Sequence, residues 1–254
     1  MKLLIGCPIY KRDWIFDHWM ACILNQSLSV KDIGIIFEAS EKDEDTLSKI
    51  EFFRSRIPFA YFEVKYRSDL PHFEHRDNGR QWTISKYANM VELRNSLLAT
   101  AREVSPDFYF SLDSDILLQN PNTIELLMSH VKDGADAVNP LMFMTPVGTD
   151  FPSVMTWKDQ DPQKATRKND YPIGSFFQSD VIMAAKMMSK DVYENVDYTI
   201  HVQGEDLGWC QNAKAMGYKL FCASYIYAPH IMSPLMYEEY LKSGDTRKEI
   251  YQLV

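Results

Sequence analysis

Asp113 and Asp115 stand one residue apart at the end of an apolar run, in the stretch Asp107 to Leu118, DFYFSLDSDILL. Phe108, Tyr109, Phe110 and Leu112 do not alternate cleanly with polar residues, which predicts a strand buried on both faces. In an open α/β sheet, ligands bind at the C-terminal edge of such strands. Two acids delivered there can share a divalent cation if the strand breaks between them. In a regular strand they would lie on one face, about 6–7 Å apart, and repel. Mg²⁺ and Mn²⁺ favour carboxylate, water and phosphate oxygens. A plain surface turn, with Asp113 capping the next segment, is the other use of the same residues.

A second acidic pair comes after a glycine in HVQGEDLGWCQNAKAMGYKLF, where Glu205 and Asp206 open a helix running to Met216. Acids in a first turn are favoured by the helix's unpaired N–H groups, so they can simply cap it. An acid placed there facing a cleft can also serve as a general base. His230 comes after Pro229 at the end of a late or edge strand, Lys219 to Tyr225, and offers a neutral nitrogen ligand. Arg94 and Asn95 lie within the most regular helix, Ser85 to Glu103, just before the Asp113 strand. Arg94 there can bind an anion at the sheet edge or run out to water. Glu38 closes a second strand, Ile33 to Phe37, where it can accept hydrogen bonds from a base or ribose.

These residues need a sheet to hold them. Leu3 to Cys7 and Tyr61 to Tyr66 read as further strands, and Trp14 to Asn25 and Thr46 to Arg56 as helices. A strand feeding directly into a helix opens a nucleotide-binding α/β unit. Gly6 stands alone, so neither a dinucleotide fingerprint nor a P-loop is present. Asp180 to Ser189 reads as a short methionine-rich helix. Gly174-Ser175 beside Phe176 and Phe177 suits either a sugar platform or core packing. His72 and His75 have a metal-like spacing within a polar loop, but no third ligand lies nearby.

The chain has 254 residues, a net charge of −8 and no Lys/Arg-rich run, which argues against a nucleic-acid partner. Its four cysteines form no C-x-x-C pair and read as buried thiols of a reducing compartment. No window approaches the ~18 apolar residues of a transmembrane segment. The expectation is a cytoplasmic protein, with a peripheral place at a membrane left open.

In combination these features resemble the GT-A fold glycosyltransferases, most closely the broad class of family 2 enzymes and their relatives. The similarity runs from Leu3 to His230. Asp113-Ser114-Asp115 is similar to the D-x-D metal motif, and Gly204-Glu205-Asp206 to the acidic acceptor-side motif. Pro8, Tyr10 and Arg12 are similar to an opening P-x-Y-x-R, and Arg94-Asn95 to an R-N pair. Two departures stand out. Glu38-Ala39-Ser40 replaces paired aspartates followed by glycine and serine, and Val202-Gln203 replaces tryptophan and glycine.

The resemblance implies an α/β fold with a mostly parallel central sheet flanked by helices and a small acceptor-side subregion. Residues 1–118 would form a sugar-nucleotide half, 119–233 an acceptor half, and 234–254 a C-terminal helix and tail. It further implies Mn²⁺ or Mg²⁺ on Asp115, with His230 and Asp113, binding a nucleoside-diphosphate sugar, UDP foremost. Pro8, Tyr10, Arg12, Glu38, Arg94 and Ser114 would line the donor, with Asp113 on its ribose or on the metal through water. In an inverting transfer Asp206 would be the base and Glu205 would hold the acceptor, a saccharide, lipid-linked glycan or protein. Two other classes use similar residues. A metal-dependent nucleotidyltransferase would prefer a nucleoside triphosphate, and a silent glycan-binding domain would be indifferent to Mn²⁺.

Overall fold

The computed structural model describes residues 1–68, 83–143, 152–168 and 170–244. His72 and His75 lie outside them. The first unit alternates β1 (Leu3–Ile9), α1 (Asp13–Leu24), β2 (Ile33–Ser40), α2 (Glu44–Arg54) and β3 (Tyr61–Arg67). Next come α3 (Ile84–Val104), β4 (Phe108–Leu112), α4 (Thr123–Lys132) and β5 (Ala137–Leu141). A small hairpin of β6 (Met155–Trp157) and β7 (Ala165–Arg167) precedes β8 (Phe176–Gln178) and β9 (Ala185–Ser189). The chain continues through α5 (Lys190–Asn195), α6 (Glu205–Ala215), β10 (Leu220–Tyr227) and α7 (Pro234–Ser243).

One sheet of eight strands, ordered β3-β2-β1-β4-β9-β5-β10-β8, spans the described chain. β1 pairs parallel with β2 and β4, β2 with β3, and β5 with β10. β9 runs antiparallel to β4 and β5, and β8 antiparallel to β10. The largely apolar run of β4 has the cause the sequence suggested: helices cover both faces of the sheet. α1 lays Ile15, Phe16, Trp19 and Ile23 in one core cluster, while Leu97, Leu98 and Ala101 of α3 belong to another.

One expected element changes type. The stretch from Asp180 to Ser189 is not a helix; its second half is β9, inserted between β4 and β5. Ala185, Met187 and Met188 are fully buried between those neighbours, so tertiary burial overrides the helix preference of alanine and methionine. Of the two places expected for β10, late or edge, it takes the first: it is the last strand in the chain, and β8 covers its outer side. Among the described residues no helix is long and apolar enough to cross a membrane.

Candidate active site

β4 stops at Leu112, and the chain turns through Asp113-Ser114-Asp115. That turn is pinned from three sides. The Asp113 N–H donates to the Ala184 carbonyl at 3.0 Å. The Trp19 indole donates to the Asp113 carbonyl at 3.1 Å, and the Ser114 hydroxyl to that of Pro8 at 3.4 Å. The break gives the two acids different partners. Asp113 Oδ1 accepts from Arg94 Nη2 at 2.8 Å, and Asp115 Oδ2 from Arg12 Nη2 at 2.6 Å. His230 arrives through a bridge between Ile116 and His230, locked by Ile231 N–H donating to Asp115 O at 2.8 Å. Its Nε2 stands 3.5 Å from Asp115 Oδ1.

Arg94 does reach the C-terminal edge of the sheet, and there it organises acids. Nε donates to Glu205 Oε1 at 3.1 Å, Nη1 to the Ser111 hydroxyl at 3.0 Å, and Nη2 to Asp113. All three nitrogens thus have protein partners, which leaves little of the guanidinium for a phosphate. Asn95 exchanges two hydrogen bonds with the backbone of Tyr198, at 2.9 and 2.8 Å. This ties α3 to the segment that leads into Glu205.

Gly204 enters α6 at φ 130°, which side-chain-bearing residues rarely adopt. Asp206 does not cap its own helix. Its Oδ2 accepts from the Ala184 N–H at 3.0 Å, and its Oδ1 takes a short hydrogen bond from Lys186 of β9. Arg94 Nη2 lies 3.9 Å from the same oxygen. Lys186 is fully buried, with its ammonium 5.1 Å from the Tyr198 ring and 5.4 Å from the Trp209 ring. Nothing in the sequence marks this lysine, because the residues around it favour a helix.

The charge balance splits the proton affinities. Arg94 and Lys186 face Asp113, Glu205 and Asp206: two cations against three carboxylates. Burial raises the Asp206 carboxyl, but Lys186 and Arg94 overcome it and hold it at about 2. Burial raises Glu205, and repulsion from Asp206 adds to it against the pull of Arg94. Asp113 is likewise raised by burial, with Asp206 and Asp115 adding to it against Arg94. Burial lowers the affinity of Lys186 for its proton, yet Asp206 and Tyr198 together leave it raised.

Glu38 sits in the last part of β2, two residues before its end at Ser40, opposite Pro8 in the strand register. It is buried, accepts from Arg67 Nη1 at 3.3 Å, and keeps Oε2 without a hydrogen-bond partner among the described residues. Burial raises its carboxyl, with Ser96 and Arg67 opposing. Tyr10 comes directly after β1, with the Lys11 ammonium 5.4 Å from its ring. The aromatics after Gly174 serve packing: Phe176 stacks on His130 at 4.0 Å and on Phe221 at 4.7 Å.

Among the described residues no three of His, Cys, Asp and Glu form a ready-made cation cage. Two donors do suit one ion. The 3.5 Å between Asp115 Oδ1 and His230 Nε2 is long for a hydrogen bond but fits two ligands of a shared cation. A Mg²⁺-like ion held by one or two carboxylates commonly takes its remaining oxygens from water and substrate phosphates. The donor set therefore fits a cation completed by a diphosphate.

The fold has counterparts among solved structures. GalNAc-T7 with UDP, GalNAc and Mn²⁺ superposes with a TM-score of 0.64 at 11% identity, over 91% of this chain and 44% of that one. S. aureus TarS in complex with UDP-GlcNAc gives 0.59 at 14% identity, over 93% and 61%. A Pyrobaculum calidifontis mannosyltransferase with GDP-Man and Mn²⁺ gives 0.57 at 11%, over 96% and 65%. The fold is the GT-A α/β fold. In sequence, an Aedes aegypti glycosyltransferase 25 family member is 26% identical over 130 residues, half of this chain. Procollagen galactosyltransferase 1-A of Xenopus laevis is 38% identical over 74 residues, 28% of this chain. The matches span only about a fifth or less of those relatives' own length, 21% and 12%. Residues 14–173 match the model of the glycosyltransferase family 25 N-terminal domain. The resemblance to family 2 and its relatives thus resolves to one family within the GT-A class: this chain belongs to glycosyltransferase family 25.

Proposed function

We propose that this chain transfers a sugar from a nucleoside-diphosphate sugar to an acceptor hydroxyl at the C-terminal edge of its sheet. The observation that carries it is the gathering of the Asp115–His230 pair and the Arg94–Glu205–Asp206 group around one turn after β4. UDP is the favoured nucleotide, as it occurs in two of the three superposed complexes. The acceptor hydroxyl belongs to a saccharide, a lipid-linked glycan or a protein.

Asp115 and His230 would hold Mn²⁺ or Mg²⁺, which supplies charge compensation for the leaving diphosphate. Glu38, Pro8 and Tyr10 line the β1–β2 side, where the nucleoside would lie. Arg94 fixes Glu205 through Nε, and Asn95 fixes the segment ahead of it.

In an inverting displacement the acceptor oxygen bonds to the anomeric carbon as the bond from that carbon to the phosphate oxygen breaks. The acceptor's proton passes to a carboxylate. The resemblance implies Asp206 as the base, but its surroundings oppose that role. Both its oxygens are engaged, and a carboxyl near 2 is a weak proton acceptor at neutral pH. Glu205, with its proton affinity raised, suits the task better. Asp206 then anchors the start of α6 to β9.

The test is kcat at saturating donor and acceptor for Glu205→Gln and Asp206→Asn, with NMR of the product's anomeric configuration. Glu205→Gln is expected to lose ~10²–10⁴-fold in kcat with donor affinity retained. Near-normal turnover in Glu205→Gln would remove it as the base. A product that keeps the donor's configuration would exclude single-displacement inversion.

A further inference from the structure

Arg12 carries a feature that the transfer chemistry leaves unused. It is the last residue before α1, buried to 2% exposure. Its Nη2 forms the 2.6 Å ion pair with Asp115 Oδ2, across 103 positions of sequence. Its Nε and Nη1 are buried without a hydrogen-bond partner among the described residues. Buried donors without acceptors are costly, and a guanidinium offers them in a flat fork that matches phosphate oxygens. The same carboxylate faces His230 through its other oxygen. One acid therefore serves two cations: a resident guanidinium and, if the chain is the proposed sugar-nucleotide transferase, an incoming metal ion.

We propose that Arg12 is a built-in competitor for the metal at Asp115, and that the nucleoside diphosphate relieves the competition. Without nucleotide, the guanidinium neutralises Asp115, so a free divalent ion meets a carboxylate already paired and only one imidazole. Nε and Nη1 are closed to solvent here, so when the diphosphate binds, the guanidinium turns out of its pair with Asp115 and meets the diphosphate oxygens with them. Arg12 then shares its charge with the diphosphate, and Asp115 becomes available to the ion. Metal and nucleotide each raise the other's affinity, by the same factor. The chain thus takes up its cation together with the donor and holds it poorly alone.

The test is Mn²⁺ binding followed by electron paramagnetic resonance of the free ion, which needs no turnover and no acceptor. Wild type, Arg12→Gln and Arg12→Lys are titrated with Mn²⁺ alone and again with saturating UDP or GDP. Far-UV circular dichroism checks that each is folded. Wild type should bind Mn²⁺ at least ~10-fold more tightly with nucleotide than without, a coupling of about 1.4 kcal/mol. Arg12→Gln should bind Mn²⁺ alone ~10-fold more tightly than wild type and show a correspondingly smaller coupling, what remains being the ion's own bonds to the diphosphate oxygens. Arg12→Lys keeps the charge without the fork, so Mn²⁺ alone should stay weak while nucleotide affinity falls. Tight Mn²⁺ binding by the wild type without nucleotide would overturn the proposal, as would equal affinities in wild type and Arg12→Gln. Failure of both nucleotides to bind any variant would count against the transferase function instead, while the Mn²⁺-only comparison still decides the role of Arg12.

Discussion

Replacing Lys186 with methionine removes one charge from a site with no solvent to replace it. Lys186 is fully buried, and methionine keeps its length and most of its volume. The loss leaves Asp206 with the Ala184 N–H and with Arg94 at 3.9 Å. Breaking a buried ion pair by removing one partner typically costs ~3–5 kcal/mol. Arg94 stays in place, so the lower end, ~3 kcal/mol, is expected. That is a large share of the ~5–15 kcal/mol that holds a typical protein folded.

Asp206→Asn should cost about as much, since it strands the lysine. The double change Lys186→Met with Asp206→Asn removes both charges and should cost ~2 kcal/mol or more less than the two single losses added together. Urea unfolding at pH 7 for the four chains gives these numbers.

Linkage adds a pH dependence. The Asp206 carboxyl falls from 3.8 to about 2 on folding. A depressed acid contributes stability that is full above its unfolded value and is lost as pH falls through the folded one. Wild type should therefore lose roughly 2 kcal/mol from this group between about pH 4 and 2. Lys186→Met should lose much less there, because the cause of the depression is gone. A cost below ~1 kcal/mol for Lys186→Met, or single losses that simply add, would refute the buried-pair account.

Two further changes probe the same architecture. Gly208 lies on α6, and an added Cβ would meet the Thr199 carbonyl oxygen at 2.1 Å. Gly208→Ala should cost ~1–3 kcal/mol in denaturant unfolding, and an unchanged midpoint would show that the close approach is relaxed in solution. Burial pushes the thiols of Cys22 and Cys210 up to about 11 and about 12, and all four cysteines are free and buried. A thiol reagent at pH 8 should thus react slowly until the chain unfolds, and rapid native-state labelling would contradict that packing.

The sequence and the structure agree most where chemistry and pattern coincide. The largely apolar run Phe108 to Leu112 demands a strand covered on both faces, and the acids at its end mark the C-terminal edge of the sheet. Arg94 is legible as an odd charge on an apolar helix, though its partners are not. What stays hidden depends on contacts between distant segments. Lys186 sits among alanines and methionines, residues that favour helix, and only insertion between β4 and β5 makes that segment a strand. Once it is a strand, the lysine faces Asp206, and both oxygens of that acid are engaged. The pairing of Arg12 with Asp115 spans 103 positions and leaves no local trace. Family membership is legible only as far as the GT-A class, because the motifs at Asp113, Glu205 and Arg94 are shared across it.

The most direct test of the sugar-nucleotide function is calorimetric titration of UDP and of GDP, in the presence of Mn²⁺, into wild type and Asp115→Asn. Asparagine keeps the shape of the turn and removes the charge that would hold the cation. Wild type should bind at least one of the two nucleotides with metal present, and Asp115→Asn should bind it ~10-fold or more weakly while melting as a folded protein. Equal affinity in both chains, or no binding of either nucleotide to the wild type, would contradict the account.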